Sequence, residues 1–416
     1  MRALLSADDS GEMQIIAPEL SILDFDPVTE STSRQLRPVF KTNNNVCAIP
    51  GYYDTPCVVH TNLNEPRDWA LATETPGRFV RLNGSDISRL SSSHTSFTVD
   101  FCEDLTVPDE DISGDETRIY DAVENFTTKR IQSRLEETLQ IPPLPAAAQQ
   151  MIALQRNPNY DLTDLVRIVE MDSAMAARIM GWANSAFYGN GTPSGSLQDA
   201  IMRVLGFDLV FNMALGLAIG ATLKLPKSHV QGTAPFWVTS VYKAAAMEGL
   251  ARQTGDKLNA DPGTAYLIGL LSNFGSLVLG HVFPPQYEHI CRLQEANSHL
   301  HHTAIDYYVL SLTRETIAAS LLQSWELPDY ITTAVRFQHA ENYEGEHATY
   351  VSLLNLCGRL LDQNLLKRGP LTVSEEHYSQ AASLGLSRES LDEVVNALSE
   401  AQDEFWSLAQ TWSTNG

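Results

Sequence analysis

The sequence predicts an α+β protein in which a small α/β or β-rich module precedes a large all-helical one. Short apolar runs broken by turn residues fill the chain up to about residue 100, and a strongly acidic stretch follows. From about Arg118 onward the apolar residues recur at helical spacing to the end. At 416 residues the chain exceeds one ordinary core, so several domains are expected. Its 43% hydrophobic and 19% charged content is that of a globular protein.

The first module rests on "MRALLS", "MQIIA", "TPCVVH" and "RFVRL", where Val, Ile and Phe at strand-like lengths alternate with Gly, Pro and Asn. Asp100 to Glu116 then carries eight acidic residues and no basic one, the composition of a solvated linker. The expected divisions are therefore 1–99 for the N-terminal module, 100–117 for the linker, 118–362 for the helical domain and 363–416 for a C-terminal helical extension.

Within the helical region, Asp161 precedes "LTDLVRIVEM" as a capping residue. Ser196 precedes "LQDAIMRVL" with Asp199 three places on, and Leu197, Ala200, Ile201 and Val204 share one face. A helix beginning near Pro235 closes at Gly255, and Ser390 with Glu393 forms a capping-box pattern before "VVNAL". About eleven helices and no strand are expected after residue 118.

Between Pro262 and Tyr287 there is no Asp, Glu, Lys or Arg, enough to span a bilayer by length. Ser272, Asn273, Ser276, His281, four glycines and a Pro-Pro pair interrupt it, so it reads instead as a buried helix covered on every side. In "GLAIG", Gly216 and Gly220 are spaced to let helices approach closely.

A net charge of −23, from 28 basic and 51 acidic residues, opposes binding to nucleic-acid phosphates or anionic lipid. The five cysteines lie far apart with no CxxC pair, which suits reduced thiols in a cytoplasmic protein. "MRALLSADDSGEMQ" turns acidic too early for a secretory signal. No Ser-His-Asp order, GxxxxGK[ST] loop or dinucleotide fingerprint is present.

Several ordered motifs carry a family resemblance. "IPPLPAAAQQMIAL", "DLTDLVRIVEMDSAMAARIMGWANSAFYG" and "SLQDAIMRVLGFDLVFNMALGLAI" are followed by "FWVTSVYKAAAMEGLA", "AYLIGLLSNFGSLVL", "LLQSWELPDYITTAVRFQHA" and "VSLLNLCGRLL". Over roughly residues 130 to 362 the chain resembles the HDOD domain, a helical output module of bacterial signalling proteins that is similar to HD-family metal phosphohydrolases. In catalytic members of that larger group, a His-Asp pair and further histidines hold divalent metal, whose bound water becomes hydroxide.

The resemblance places that His-Asp pair at Ser272 and Asn273, neutral groups and poor ligands. A further histidine position falls on Thr239 and another on Arg314, which cannot give up its proton to bind metal. An inward guanidinium ~5 Å from a divalent ion would meet repulsion on the order of 7 kcal/mol at an effective dielectric of about 20. Of a terminal His-His pair, Gln338 and His339 remain, a single histidine. Ser272 and Asn273 read either as satisfied buried polar groups or as a vestigial ligand pocket. His339 reads as a helix-end histidine or a ligand, and "HLHH" (His299, His301, His302) as a solvated helix end or an adventitious metal trap. In "ANSAFYG", Asn184, Ser185, Phe187 and Tyr188 are either an interaction edge or a helix end whose rings fill the core.

Residues 1 to 92 resemble the later part of a YbaK-type aminoacyl-tRNA deacylase domain. That family's functional lysine has its nearest match here in Arg2, so no editing activity is implied; Arg2 also reads as a surface residue near a terminus. The expectation is a cytoplasmic, non-enzymatic signalling regulator with no cofactor and no metal. It would bind a protein partner or small signalling molecule, with no nucleic acid or membrane partner and its oligomeric state open. The rival expectations are a metal-dependent HD-type phosphohydrolase acting on nucleotides or cyclic dinucleotides, and a protein held at a membrane by the 262–287 segment.

Overall fold

The computed structural model describes residues 1–18, 21–39, 46–50, 52–53, 55–75, 78–104 except 93–95, 143–156, 160–189 and 191–413 apart from 222, 227, 232, 256, 257, 259 and 363–369. The chain divides into two compact units. One comprises Met1–Ile112, Val230–Gly232 and Glu288–Ser311; the other comprises Ser113–His229, Thr233–Tyr287 and Leu312–Gly416.

The first unit is built on β1 (Arg2–Asp8), β2 (Gly11–Ala17), β3 (Ser21–Leu23), α1 (Phe25–Thr32), β4 (Arg37–Pro38), β5 (Cys57–His60), β6 (Asp68–Ala72), β7 (Phe79–Asn83), α2 (Gly84–Ser92), β8 (Ser96–Val99) and β9 (Cys102–Asp104). A five-stranded mixed sheet runs β4-β1-β2-β5-β8, with β3–β9 and β6–β7 as separate antiparallel pairs. The β1–β2 hairpin closes over two residues, with Asp8 opposite Gly11. Both faces of the sheet are covered. Met13, Ile15, Ala17 and Val58 enter one core, while Ile16, Cys57 and Val59 enter another, as the two-residue strand period requires. Burial on both faces explains why Ile15 to Ala17 and Cys57 to Val59 are continuously apolar.

All four expected strand runs are strands; three more short ones (β3, β4, β6) lie among them and two (β8, β9) follow. The linker reading is displaced at its start, because Cys102–Asp104 pairs antiparallel with Ser21–Leu23. The remainder of that acidic run lies outside the described residues.

The distant segment of this unit completes its core. Ala296 packs with Met13, Ile15, Leu23 and Phe101. Asn297, fully buried, accepts from Leu23 N at 2.8 Å and donates to Leu23 O at 2.9 Å. Arg2 donates to Asn297 Oδ1 at 2.7 Å and to Ala296 O at 3.3 Å. Arg2 is thus a half-buried clamp and not a loose surface residue, because a carbonyl and a carboxamide 294 and 295 residues away face its guanidinium.

The second unit carries α3 (Ala146–Gln155), α4 (Leu162–Glu170), α5 (Ser173–Ala183), α6 (Leu197–Ala200), α7 (Phe207–Gly220), α8 (Phe236–Thr254), α9 (Pro262–Leu271) and α10 (Phe274–Val282). After α11 (Pro284–Ala296) and α12 (His302–Leu310), which take the chain through the first unit, come α13 (Arg314–Ser324), α14 (Asp329–Arg336), α15 (Ala348–Asp362), α16 (Glu375–Ser383), α17 (Arg388–Glu400) and α18 (Gln402–Ser413). No strand occurs after residue 143 among the described residues. More helices are described than the eleven or so expected, and one of the added breaks falls at a polar joint, Ser272–Asn273.

Asp161 caps α4 in a capping box with Asp164, and Ser196 caps α6 through Asp199 N. Gly255 ends α8 at φ 54°, left-handed backbone that favours glycine. The Ser390 cap is corrected: Ser387 caps α17, one turn earlier, and its hydroxyl accepts from Ser390 N at 3.1 Å. A methyl group on Gly216 would lie 2.6 Å from Leu270 and one on Gly220 2.4 Å from Trp237, so this pair does serve close helix approach. Pro262–Val282 is apolar and long enough to cross a bilayer, and 78% of its window is buried inside the protein. The C-terminal helices join the same core: the Phe405 ring lies 5.3 Å from Trp182, 5.1 Å from Phe187 and 4.8 Å from Tyr242.

Candidate functional site

The apolar run that reads as one helix is two. Ser272 N bonds to Gly269 O at 3.3 Å and Ser276 N to Asn273 O at 3.0 Å, so three-residue turns interrupt the four-residue ladder between α9 and α10. Ser272 and Asn273 occupy the joint. The Ser272 hydroxyl, 3% exposed, donates to Gly269 O at 2.8 Å. Asn273 stands at the N-cap of α10 but makes no capping hydrogen bond with its side chain. Its Oδ1 instead accepts from Lys243 Nζ at 3.3 Å.

Lys243 comes from the middle of α8 and is 4% exposed. Among the described residues its head group has one acceptor, Asn273 Oδ1. Thr239 lies one turn earlier on the same helix face, half-buried, with its hydroxyl turned back to Pro235 O at 3.4 Å. The turn holding Asn273 is closed from the other side by α13. Arg314 Nη1 donates to Ser276 Oγ at 3.1 Å, and a methyl group on Gly275 would lie 2.1 Å from Arg314 O. Only glycine admits that backbone approach.

Gln338, just past α14, donates from Nε2 to Ser272 O at 2.9 Å and to Val335 O at 3.1 Å. A relay continues outward: Asn355 Nδ2 donates to Gln338 O at 3.1 Å, and Gln380 donates to Asn355 Oδ1 at 2.8 Å. His339 lies 3.4 Å from the buried Glu315 carboxylate. The structure therefore gathers Ser272, Asn273 and Gln338 directly, with Arg314 one turn away on Ser276. Thr239 and His339 make their described hydrogen bond and ion pair with other groups.

This donor set does not fit a divalent cation. Hydroxyl, carboxamide and backbone carbonyl replace imidazole and carboxylate, and Asn273 Oδ1 already faces an amine. Sequence reading missed Lys243, whose signal was a lysine inside the otherwise apolar stretch Val241 to Met247. It also missed Glu315, whose burial no local pattern announced.

The second candidate closes a loop. Asn184 ends α5 and accepts from Ser194 N at 2.7 Å, while Ser185 Oγ accepts from Tyr188 N at 3.1 Å. Phe187 and Tyr188 meet edge to face at 4.8 Å, and Tyr188 lies 5.4 Å from Trp182. Glu404 of α18 accepts from Ala186 N at 2.8 Å, a cap that sequence reading also missed. Tyr188 donates its hydroxyl to Glu248 at 3.4 Å, and Glu248 also pairs with Arg252. Burial pushes the Glu248 carboxyl up, against the Arg252 guanidinium that lowers it. In "HLHH", His301 caps α12 by accepting from Thr303 N at 3.4 Å, with the His302 ring 4.3 Å away.

The model of the HDOD domain matches residues 141–341. A solved chain from Marinobacter aquaeolei VT8, described as a candidate signal transduction protein, is 34% identical and superposes with a TM-score of 0.82, covering 99% of this chain and 93% of that one. Residues 141–341 of the chain are an HDOD domain.

An HDOD chain of this kind also shares its fold with a candidate metal-dependent phosphohydrolase from Shewanella amazonensis SB2B (20% identity, TM-score 0.51, 72% of this chain and 100% of that chain). That likeness is one of fold alone. An uncharacterized protein of Treponema pallidum (strain Nichols) is 27% identical over 246 residues, 58% of this chain. The chain spans 46% of that relative's length.

Proposed function

We propose that this HDOD protein is a non-catalytic regulator in bacterial signal transduction, working in the cytoplasm through binding of a protein partner or a small signalling molecule. One observation carries the reading. At the joint where the resemblance places a metal-binding His-Asp pair stand Ser272 and Asn273, with the buried Lys243 donating to Asn273 Oδ1. The Asn273 oxygen is a neutral donor with one of its two lone pairs already engaged, and an ammonium beside it would repel a metal ion. The similarity to a chain described as a candidate signal transduction protein supports the same direction.

The N-terminal unit is read as a YbaK-like module without deacylase activity. Its Arg2 is engaged with Ala296 and Asn297, which supports a structural role for the position nearest that family's functional lysine. The net charge of −23 argues against tRNA or other nucleic acid as partner.

The test is metal content and phosphate release on the purified full chain. Less than one Mn, Fe or Zn per chain, no linear dinucleotide or mononucleotide from cyclic dinucleotides and no phosphate from nucleoside triphosphates, each with added Mn2+, is the expected result. Chelator-sensitive phosphate release would overturn it in favour of a phosphohydrolase.

A further inference from the structure

We infer that a cleft of about 230 Å3 beside the first turns of α7 and α9 binds the guanidinium of an arginine presented by a partner protein. This deepens the binding role proposed above and rests on it for the assumption that the partner is a protein.

One wall is a row of aromatic rings. Tyr160 stacks on Phe207 with centroids 5.3 Å apart and planes 28° apart, and Phe207 stacks on Phe211 at 6.3 Å and 17°. Phe211 is 5% exposed and anchors the row in the core, whereas Tyr160 is 37% exposed at its outer end. Beside the row stand Asp208 and Asp261, and no Lys, Arg or His lines the cleft among the described residues. The Asp261 carboxylate is fixed as the N-cap of α9, accepting from Thr264 N at 2.6 Å, and its own N–H donates to the Tyr350 hydroxyl at 3.0 Å. Asn212 is held against α7 by donating to Asp208 O at 2.9 Å. The Asp208 side chain is exposed in the first turn of α7 and has no described partner.

Two carboxylates beside stacked aromatic faces select for a cation. The rings lie nearly parallel in a row and do not form the box that encloses a trimethylammonium group. A flat cation can extend such a row, and guanidinium is flat, stacks on aromatic faces and offers a fork of N–H donors to both carboxylates. A nucleotide base would stack equally well, but its phosphates would meet Asp208, Asp261 and a chain of net charge −23. The two helix N-termini at the cleft favour anions by their dipoles; two full negative charges placed there outweigh those partial charges.

The experiment uses the full chain and fluorescein-labelled Gly-Ser-Arg-Gly-Ser and Gly-Ser-Lys-Gly-Ser peptides, followed by anisotropy. The arginine peptide is expected to bind about three- to tenfold tighter, the range a planar cation gains from an aromatic face. Asp208→Asn with Asp261→Asn should weaken it about tenfold, since asparagine keeps the α9 cap and only the charges go. Phe207→Leu should erase the preference for arginine over lysine. Equal affinity for both peptides would mean diffuse attraction to an acidic surface and would sink the inference, as would binding unchanged in D208N/D261N. A dimer of the chain that dissociates in D208N/D261N would give the cleft to a second copy and overturn the partner assignment. Failure here leaves the metal and phosphate measurements untouched, so the two readings fall separately.

Discussion

Lys243 is the residue on which the character of the site turns. It is 4% exposed and has one described acceptor, Asn273 Oδ1 at 3.3 Å. A buried charged head costs several kcal/mol to desolvate, and one hydrogen bond does not offset that. Lys243→Met keeps the length of the side chain and removes the head, and Asn273, only half-buried, can turn to water. The variant is expected to melt about 2–4 °C higher, a gain of about 1 kcal/mol, in calorimetry at neutral pH. A lower melting temperature would show that the lysine contributes more as a tie between α8 and α10 than it costs. The positions of Ser272, Asn273 and Gln338 were legible in the sequence through ordered motifs. Lys243 was not, because a lysine among alanines says nothing about which neighbouring helix its tip will meet. Thr239, the expected position on that helix, misses by one turn. Putting back the ligands as Ser272→His, Asn273→Asp and Thr239→His therefore calls for the removal of Lys243 as well.

Whole helices were easier to read than their ends. The 3.6-residue period found most of α4, α6 and α8, and short polar side chains ahead of apolar runs gave two of three caps correctly. The break at Ser272–Asn273 was not legible, since an apolar run carries no period fault when its polar joint is turned inward. Two helix-end histidines give this level its pH dependence. His281 Nδ1 accepts from Lys224 N at 3.0 Å, and His377 Nδ1 accepts from Ser374 N at 3.1 Å in the capping box of α16. Burial pushes both imidazoles below their ordinary value, with the nearby charge of Lys224 and of Arg359 adding to it. Their contribution is fully present above the unfolded value near 6.5 and is lost as pH falls through it toward the depressed folded values. Glu248 acts in the opposite sense: its raised carboxyl makes its cost appear as pH rises above 4.5. Melting temperature should therefore fall between about pH 7.5 and 5.5, and His281→Asn with His377→Asn, which keeps both acceptors, should flatten that slope. An unchanged slope in the double variant would assign the loss to other groups.

At the scale of the molecule, the two modules read from composition correspond to real differences in secondary structure, but the chain does not partition in sequence order. Glu288–Ser311 belongs with the N-terminal strands although it lies inside the stretch matched by the HDOD family. No local pattern can announce such an excursion, because Ala296 and Asn297 look ordinary until Met13 and Leu23 are seen beside them. Asn297→Ala would leave the buried Leu23 N–H and C=O unpaired and take one acceptor from Arg2, a loss on the order of 3 kcal/mol. Hydrogen exchange should show faster exchange in β1 to β3 with α8 and α9 unchanged. Equal loss in both units would mean that they unfold as one.

That excursion has a consequence for biosynthesis. A nascent chain emerging at roughly 5–20 residues per second must lengthen by nearly two hundred residues after Ile112 before Asn297 leaves the ribosome, a wait of roughly ten to forty seconds. Throughout it, the apolar floor beneath β2 and β5 lacks its last segment, so strands made well before Asn297 are among the last elements to finish folding.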